Sequence, residues 1–160
     1  MMKRRLTIVG LALVGALAFV RWVGEGADNA PSDPKLVVDR IWVDQLATKP
    51  RDVMNVFVAI TQQPVGIFQS TTQWKGSYEI FHYSASGNEL RIVYPQTDEK
   101  EKVNARAWKC NQGDMDYCLE LTGASRGVKR YQSQRGWEID GLARPEQILD
   151  RIASVVPRAK

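Results

Sequence analysis

From Leu36 to Trp137 the chain repeats one theme. Short runs rich in Val, Ile, Tyr, Phe, Trp and Thr alternate with turn-forming residues, and no helical pattern of 10–15 residues interrupts them. Eight runs can be counted: Val37–Asp44, Val53–Thr61, Val65–Trp74, Ser77–Ser84, Glu89–Tyr94, Glu101–Lys109, Asp116–Thr122 and Val128–Arg135. Even spacing with short turns is the pattern of an antiparallel meander, and the missing helices disfavour parallel βαβ units. Tyr117, Leu119 and Leu121 alternate with Cys118, Glu120 and Thr122, and Val103, Ala105 and Ala107 alternate with Lys102, Asn104 and Arg106. One buried face and one wet face is what a barrel or sandwich wall requires. The run VMNVFVAI is more uniformly apolar than the others, as expected of a strand covered on both faces.

After Trp137 the period changes. Pro145 suits the first turn of a helix, Ile148, Leu149, Ile152, Val155 and Val156 recur at helical spacing, and Pro157 stops the element. The apolar stripe of this helix needs the barrel wall or a partner to cover it.

The N-terminus has a different character. Lys3-Arg4-Arg5 precede an uncharged run from Leu6 to Val20, the arrangement of an export signal. As a helix, 15 residues reach about 22 Å, short of a bilayer core of about 30 Å, which favours a cleavable peptide with Ala16-Leu17-Ala18 as the site. Arg21 and Trp22 are residue types of the membrane interface and favour a retained anchor. Residues 1–23 are therefore read as a signal peptide or a single-span hydrophobic helix, with residues 6–23 meeting the membrane if uncleaved. Either way the following domain is expected outside the cytoplasm, on the periplasmic or extracytoplasmic side. Residues 24–35, rich in Gly, Pro, Asp and Ser, read as a flexible linker, and residues 36–160 as the domain.

Charge follows the same division. The chain has 22 Lys and Arg, 18 Asp and Glu, and a net charge of +4. Lys3, Arg4, Arg5 and Arg21 against Glu25 place most of that excess in the export segment. The rest is nearly neutral, so the basic isoelectric point gives no argument for nucleic acid.

Cys110 and Cys118 flank the turn-forming Gly113 and Asp114, and in an exported protein they read as a disulfide stapling a hairpin. The spacing is not that of a redox or metal pair. His82 is the sole histidine, and alternation puts it with Tyr78 and Ile80, opposite Glu79, Phe81 and Tyr83. No G-x-S-x-G elbow is present. No catalytic residue, metal site or cofactor is assigned. Trp42, Phe68, Tyr78, His82, Tyr94 and Trp108 are the candidate ligand-binding residues if the barrel is hollow; if it is filled they are core. Arg126, Lys129, Arg130 and Arg135, in the most basic stretch of the domain, are a candidate surface for anionic headgroups or an acidic partner. The alternative is a solvated strand face.

Eight antiparallel strands and a C-terminal helix resemble the order of the lipocalins and their bacterial relatives. The family carries a Trp in a G-x-W motif on its first strand, where this chain has Arg40-Ile41-Trp42 without the Gly. It carries T-D-Y near the turn into the seventh strand, where this chain has Met115-Asp116-Tyr117. It also places an Arg or Lys of the last strand over that Trp, a role for which Lys129, Arg130 and Arg135 are candidates. The resemblance implies a small all-β barrel, a non-enzymatic exported protein, and an apolar small molecule or lipid as ligand. The alternative expectation is an accessory subunit of a membrane protein complex, anchored by its N-terminal helix with the β-domain on the outer face.

Overall fold

A computed structural model describes residues 30–157. The expected signal or anchor over residues 1–23, and residues 24–29 of the expected linker, lie outside the described residues. Among the described residues no helix is long and apolar enough to cross a membrane.

The domain is an all-β, eight-stranded antiparallel closed barrel followed by one C-terminal helix. The elements are α1 (Pro34–Val37), β1 (Trp42–Val43), β2 (Met54–Ile60), β3 (Val65–Thr71), β4 (Gly76–Ser86), β5 (Glu89–Tyr94), β6 (Glu99–Gln112), β7 (Met115–Thr122), β8 (Arg130–Ser133) and α2 (Pro145–Val155). Each strand pairs with its neighbour in sequence, and β1 closes the ring on β8 through Val43 opposite Gln132.

The first expected strand, Val37–Asp44, holds only two strand residues. Asp33 caps the stretch before it by accepting from the Lys35 backbone N–H, and Pro34 occupies the first turn, so a short helix forms instead. Asp39 then adopts a left-handed conformation (φ 55°), and its carboxylate accepts from the backbone and hydroxyl of Thr61. The chain therefore turns where a continuous strand was expected. Helix α1 begins inside the stretch read as linker, and its Asp33 backbone N–H donates to the Ala107 carbonyl. Glu99 and Lys100, expected in a loop, open β6, the longest strand.

Two cores result from the two faces of the wall. Inward residues, among them Trp42, Phe57, Phe68, Phe81, Tyr94, Leu119 and Tyr131, fill the barrel. On the outside, Val56, Val58, Ile60, Val65 and Ile67 pack under Ile148 and Ile152 of α2 and Val156 just after it. Strand β2 lies between the two cores, which accounts for its sequence being apolar at every position but Asn55. Ala105 and Ala107 face inward and leave room for the rings opposite.

The ring cluster is continuous. Phe57, Phe68 and Phe81 lie 5.1–6.0 Å apart, and Phe81 meets Tyr83 and Tyr94 edge-on at 6.2 and 6.3 Å. Gly66 makes this possible: a Cβ there would collide with the Phe81 ring and the Val58 carbonyl. The buried phenols are partnered, Tyr83 donating to the Ile60 carbonyl at 2.8 Å and Tyr131 accepting from the Val128 N–H at 2.9 Å. The Cys110–Cys118 disulfide is present, spanning Cα atoms 5.7 Å apart beside the irregular register between Lys109 and Gln112. Closing a loop of this size contributes about 2–3 kcal/mol through the unfolded state.

Gly66→Ala is expected to destabilise the domain by about 3 kcal/mol, because ring and backbone must both move. Denaturant unfolding measures it, and a change below about 0.5 kcal/mol would mean that the ring is not locked against the strand. A second expectation concerns alkali. Burial pushes Tyr83 and Tyr131 from 10.0 up to about 12, and burial together with the Glu101 carboxylate raises Tyr94 as well. The fold holds these phenols neutral while the unfolded chain ionises near 10, so their contribution is intact below pH 10 and is lost as pH rises towards 12. Absorbance titration at alkaline pH should show three of the five tyrosines ionising late and together with loss of near-UV dichroism. Ordinary titration of all five in a folded protein would refute it.

Candidate functional site

The six expected ligand-binding residues do not converge on one cavity. Trp42, Phe68 and Tyr94 are packed inside the barrel, Trp42 donating its indole N–H to the Val37 carbonyl at 3.0 Å. Tyr78 and His82 face outward on β4, with His82 opposite Val65 and Val93. Trp108 also faces outward, opposite Cys118, and is buried to 8% exposure with Arg106 stacked over it at 5.7 Å. Strand alternation dictates each of these placements.

The basic candidates are mostly engaged. Arg126 stacks on Tyr94 at 4.3 Å and pairs with Glu79 at 3.2 Å and with Glu99. These hydrogen bonds, to Glu79 first and then Glu99, hold its guanidinium above its ordinary value. Beside it, Glu101 accepts from the Tyr94 hydroxyl and from the Ser125 N–H. Arg126 therefore seals one end of the barrel. Lys129 pairs with Glu120 at 3.1 Å, Arg135 lies 3.7 Å from Asp116, and Arg130 is exposed on β8 opposite Glu120. None of Lys129, Arg130 and Arg135 covers Trp42. The ring under the sealing cation is Tyr94, and the cation comes from the β7–β8 turn.

Sequence reasoning passed over Arg40. It is 6% exposed, stacks on Tyr117 at 4.1 Å, donates to the Gln134 carbonyl at 2.8 Å and pairs with Glu138 at 2.6 Å. With Ile41 donating to the Trp137 carbonyl, it ties the start of β1 to the segment after β8. The available signal was one Arg among the apolar residues Val37, Val38, Ile41, Trp42 and Val43 of the expected strand.

One site combines exposure with concavity. A cleft of about 410 Å³ runs between α2 and the outer face of β3 and β4, with Trp74 and Tyr78 on one side and Leu149, Ile152 and Val156 on the other. Met54 and Gln69 also line it. Trp74 is 76% exposed and Tyr78 55% exposed. Trp74 sits on an ordered turn: Thr72 donates its N–H to the Lys75 carbonyl, and its hydroxyl accepts from the Trp74 and Lys75 N–H groups. A large indole is thus held in water by a well-bonded turn. The Gln69 Oε1 is buried and, among the described residues, has no donor. Buried acceptors without partners cost about 1–3 kcal/mol. Trp74 was legible as a Trp in a polar turn, before Lys75-Gly76 and without an apolar partner.

A second cleft, of about 310 Å³, opens at the α1 end of the barrel, lined by Val37, Val38, Pro64, Tyr83, Leu90 and Ala105 among others. Among the described residues no group of three or more His, Cys, Asp or Glu is placed to hold a metal.

Comparison of the chain with known protein families, with curated proteins and with solved structures finds no match.

Because Trp74 and Tyr78 are mostly exposed, the double substitution W74A/Y78A is expected to change unfolding free energy by less than about 1 kcal/mol. Phe81→Ala, in the barrel interior, is expected to cost about 3–5 kcal/mol. Paired denaturant melts check the contrast, and equal losses would show that the two exposed rings belong to the core.

Proposed function

We propose that this chain is a non-enzymatic, exported accessory subunit: a lipocalin-like barrel that docks on the extracytoplasmic side of a membrane protein complex. The cleft between α2 and β3–β4 receives an apolar segment of the partner. The observation that carries this reading is the combination of a barrel filled by aromatic rings with a large exposed indole and phenol outside it. A filled interior leaves little volume for a lipid chain, while exposed aromatics flanking an apolar cleft are the surface on which protein interfaces concentrate their energy. The disulfide suits an oxidising compartment, and the basic, apolar N-terminal sequence suits export. Closed-barrel architecture and the partial G-x-W and T-D-Y correspondences support the lipocalin likeness at the level of fold, which by itself carries no function.

The mouth cleft favours a second reading. Its lining is mainly apolar and its volume, about 310 Å³, is at the lower edge of small-molecule sites, so a compact apolar ligand could bind beside α1.

Native mass spectrometry of the full chain after gentle membrane extraction separates the two. The expected result is a stoichiometric protein partner that stays with the wild type and is lost from W74A/Y78A. A bound small molecule without a partner moves the function to the mouth cleft. A partner retained equally by W74A/Y78A removes the outer cleft as the docking site.

A further inference from the structure

Strand β6 begins Glu99-Lys100-Glu101-Lys102, a stretch that is neutral as sequence. The strand period of two separates it. Glu99 and Glu101 turn to the sealed end, where they meet Arg126, Tyr94 and the Ser125 N–H. Lys100 and Lys102 turn outward, and Asn104, Arg106 and Trp108 continue the same face along the strand. Arg91 on β5 is the register partner of Lys102, and Arg130 on β8 lies across Glu120 from Arg106. One outer face thus gathers Arg91, Lys100, Lys102, Arg106 and Arg130. The acids on its strands are engaged, Glu89 with Arg91 at 2.8 Å, Glu120 with Lys129 at 3.1 Å and Asp116 with Arg135 at 3.7 Å. A domain nearly neutral in total carries a basic wall.

We propose that this β5–β6–β7–β8 face is a contact surface for the anionic headgroups of a phospholipid bilayer. The charges lie on long side chains along a strand face and line none of the clefts described above, which suits a laterally fluid array of phosphates more than a shaped protein epitope. Trp108 is covered by Arg106, so the stripe offers no free ring for stacking nucleic-acid bases. The chain enters the domain at the barrel mouth next to β5 and β6, Ser32 donating to Asn88 before β5 and the Asp33 N–H to the Ala107 carbonyl of β6. The inference rests on residues 1–23 delivering the domain to a membrane. It is independent of the outer cleft, since Trp74 and Tyr78 take no part in it.

The test uses the full chain reconstituted in phosphatidylcholine vesicles with and without about 30% phosphatidylglycerol, with lysine acylation rates read by mass spectrometry. Lys100 and Lys102 are expected to react about fivefold more slowly in the anionic vesicles, with the protection lost in about 0.5 M NaCl. Lys75, on the β3–β4 turn, should react alike in both. The variant R91Q/R130Q removes two exposed charges and keeps both reporters, and its protection should disappear at lower salt than that of the wild type. Equal acylation of Lys100 and Lys102 in both vesicles overturns the proposal and leaves an acidic protein as the partner of the face. Salt-resistant protection in both vesicles also overturns it, since burial against the bilayer would then owe nothing to charge.

Discussion

An eight-stranded sheet that closes on itself encloses a space about one layer of side chains wide, and that constraint organises the whole domain. Every inward residue must fit the diameter jointly with those opposite. Phe57, Phe68, Phe81, Tyr94 and Tyr131 supply the bulk, Ala105 and Ala107 the relief, and Gly66 a place where the Phe81 ring lies directly on the backbone. The phenols keep their hydroxyls at the edges of this cluster, where Ile60, Glu101 and Val128 satisfy them. Burying a ring while bonding its polar tip is what allows tyrosine to serve in a narrow interior.

Closure itself is thinly provided, because β1 has only two residues. Its contact with β8 is supplemented by Arg40, which reaches from the start of β1 to Gln134 and Glu138 and stacks on Tyr117. A guanidinium can do this because it is planar, apolar on its faces and rich in donors at its edge. At the sealed end Arg126 plays a comparable part over Tyr94, between Glu79 and Glu99. Two arginines therefore hold positions where a longer strand or an apolar cap could otherwise have stood.

Filling the interior moves the available chemistry to the outside. Helix α2 covers β2 and part of β3, and beyond its covered stripe the wall leaves a cleft flanked by Trp74 and Tyr78. On the strands away from the helix the wall is polar, and there the alternation of β6 sorts a neutral sequence into an acidic end and a basic face. Both surfaces follow from one fact of strand geometry: neighbouring residues point in opposite directions.

That fact also marks how far the sequence alone could reach. Period-two patterning, turn residues and the late change to a helical period determined the eight strands, the terminal helix and the burial of β2 on both sides, because these depend on local alternation. The spacing of Cys110 and Cys118 around a turn likewise predicted their bridge. Local pattern also placed Tyr78 and His82 on one face and Phe81 and Tyr83 on the other. It could not say which face was inside, since both carry aromatic residues, and so Tyr78 and His82 stood among the candidates for an interior site. Only the tertiary structure decided that the barrel is filled, that Asp39 turns the chain and shortens β1, that Arg126 lies over Tyr94, and that Lys100 and Lys102 share a wall with Arg91 and Arg130. Those outcomes depend on registers between strands far apart in sequence and on the summed volume of opposing side chains, and neither quantity exists until the sheet has closed.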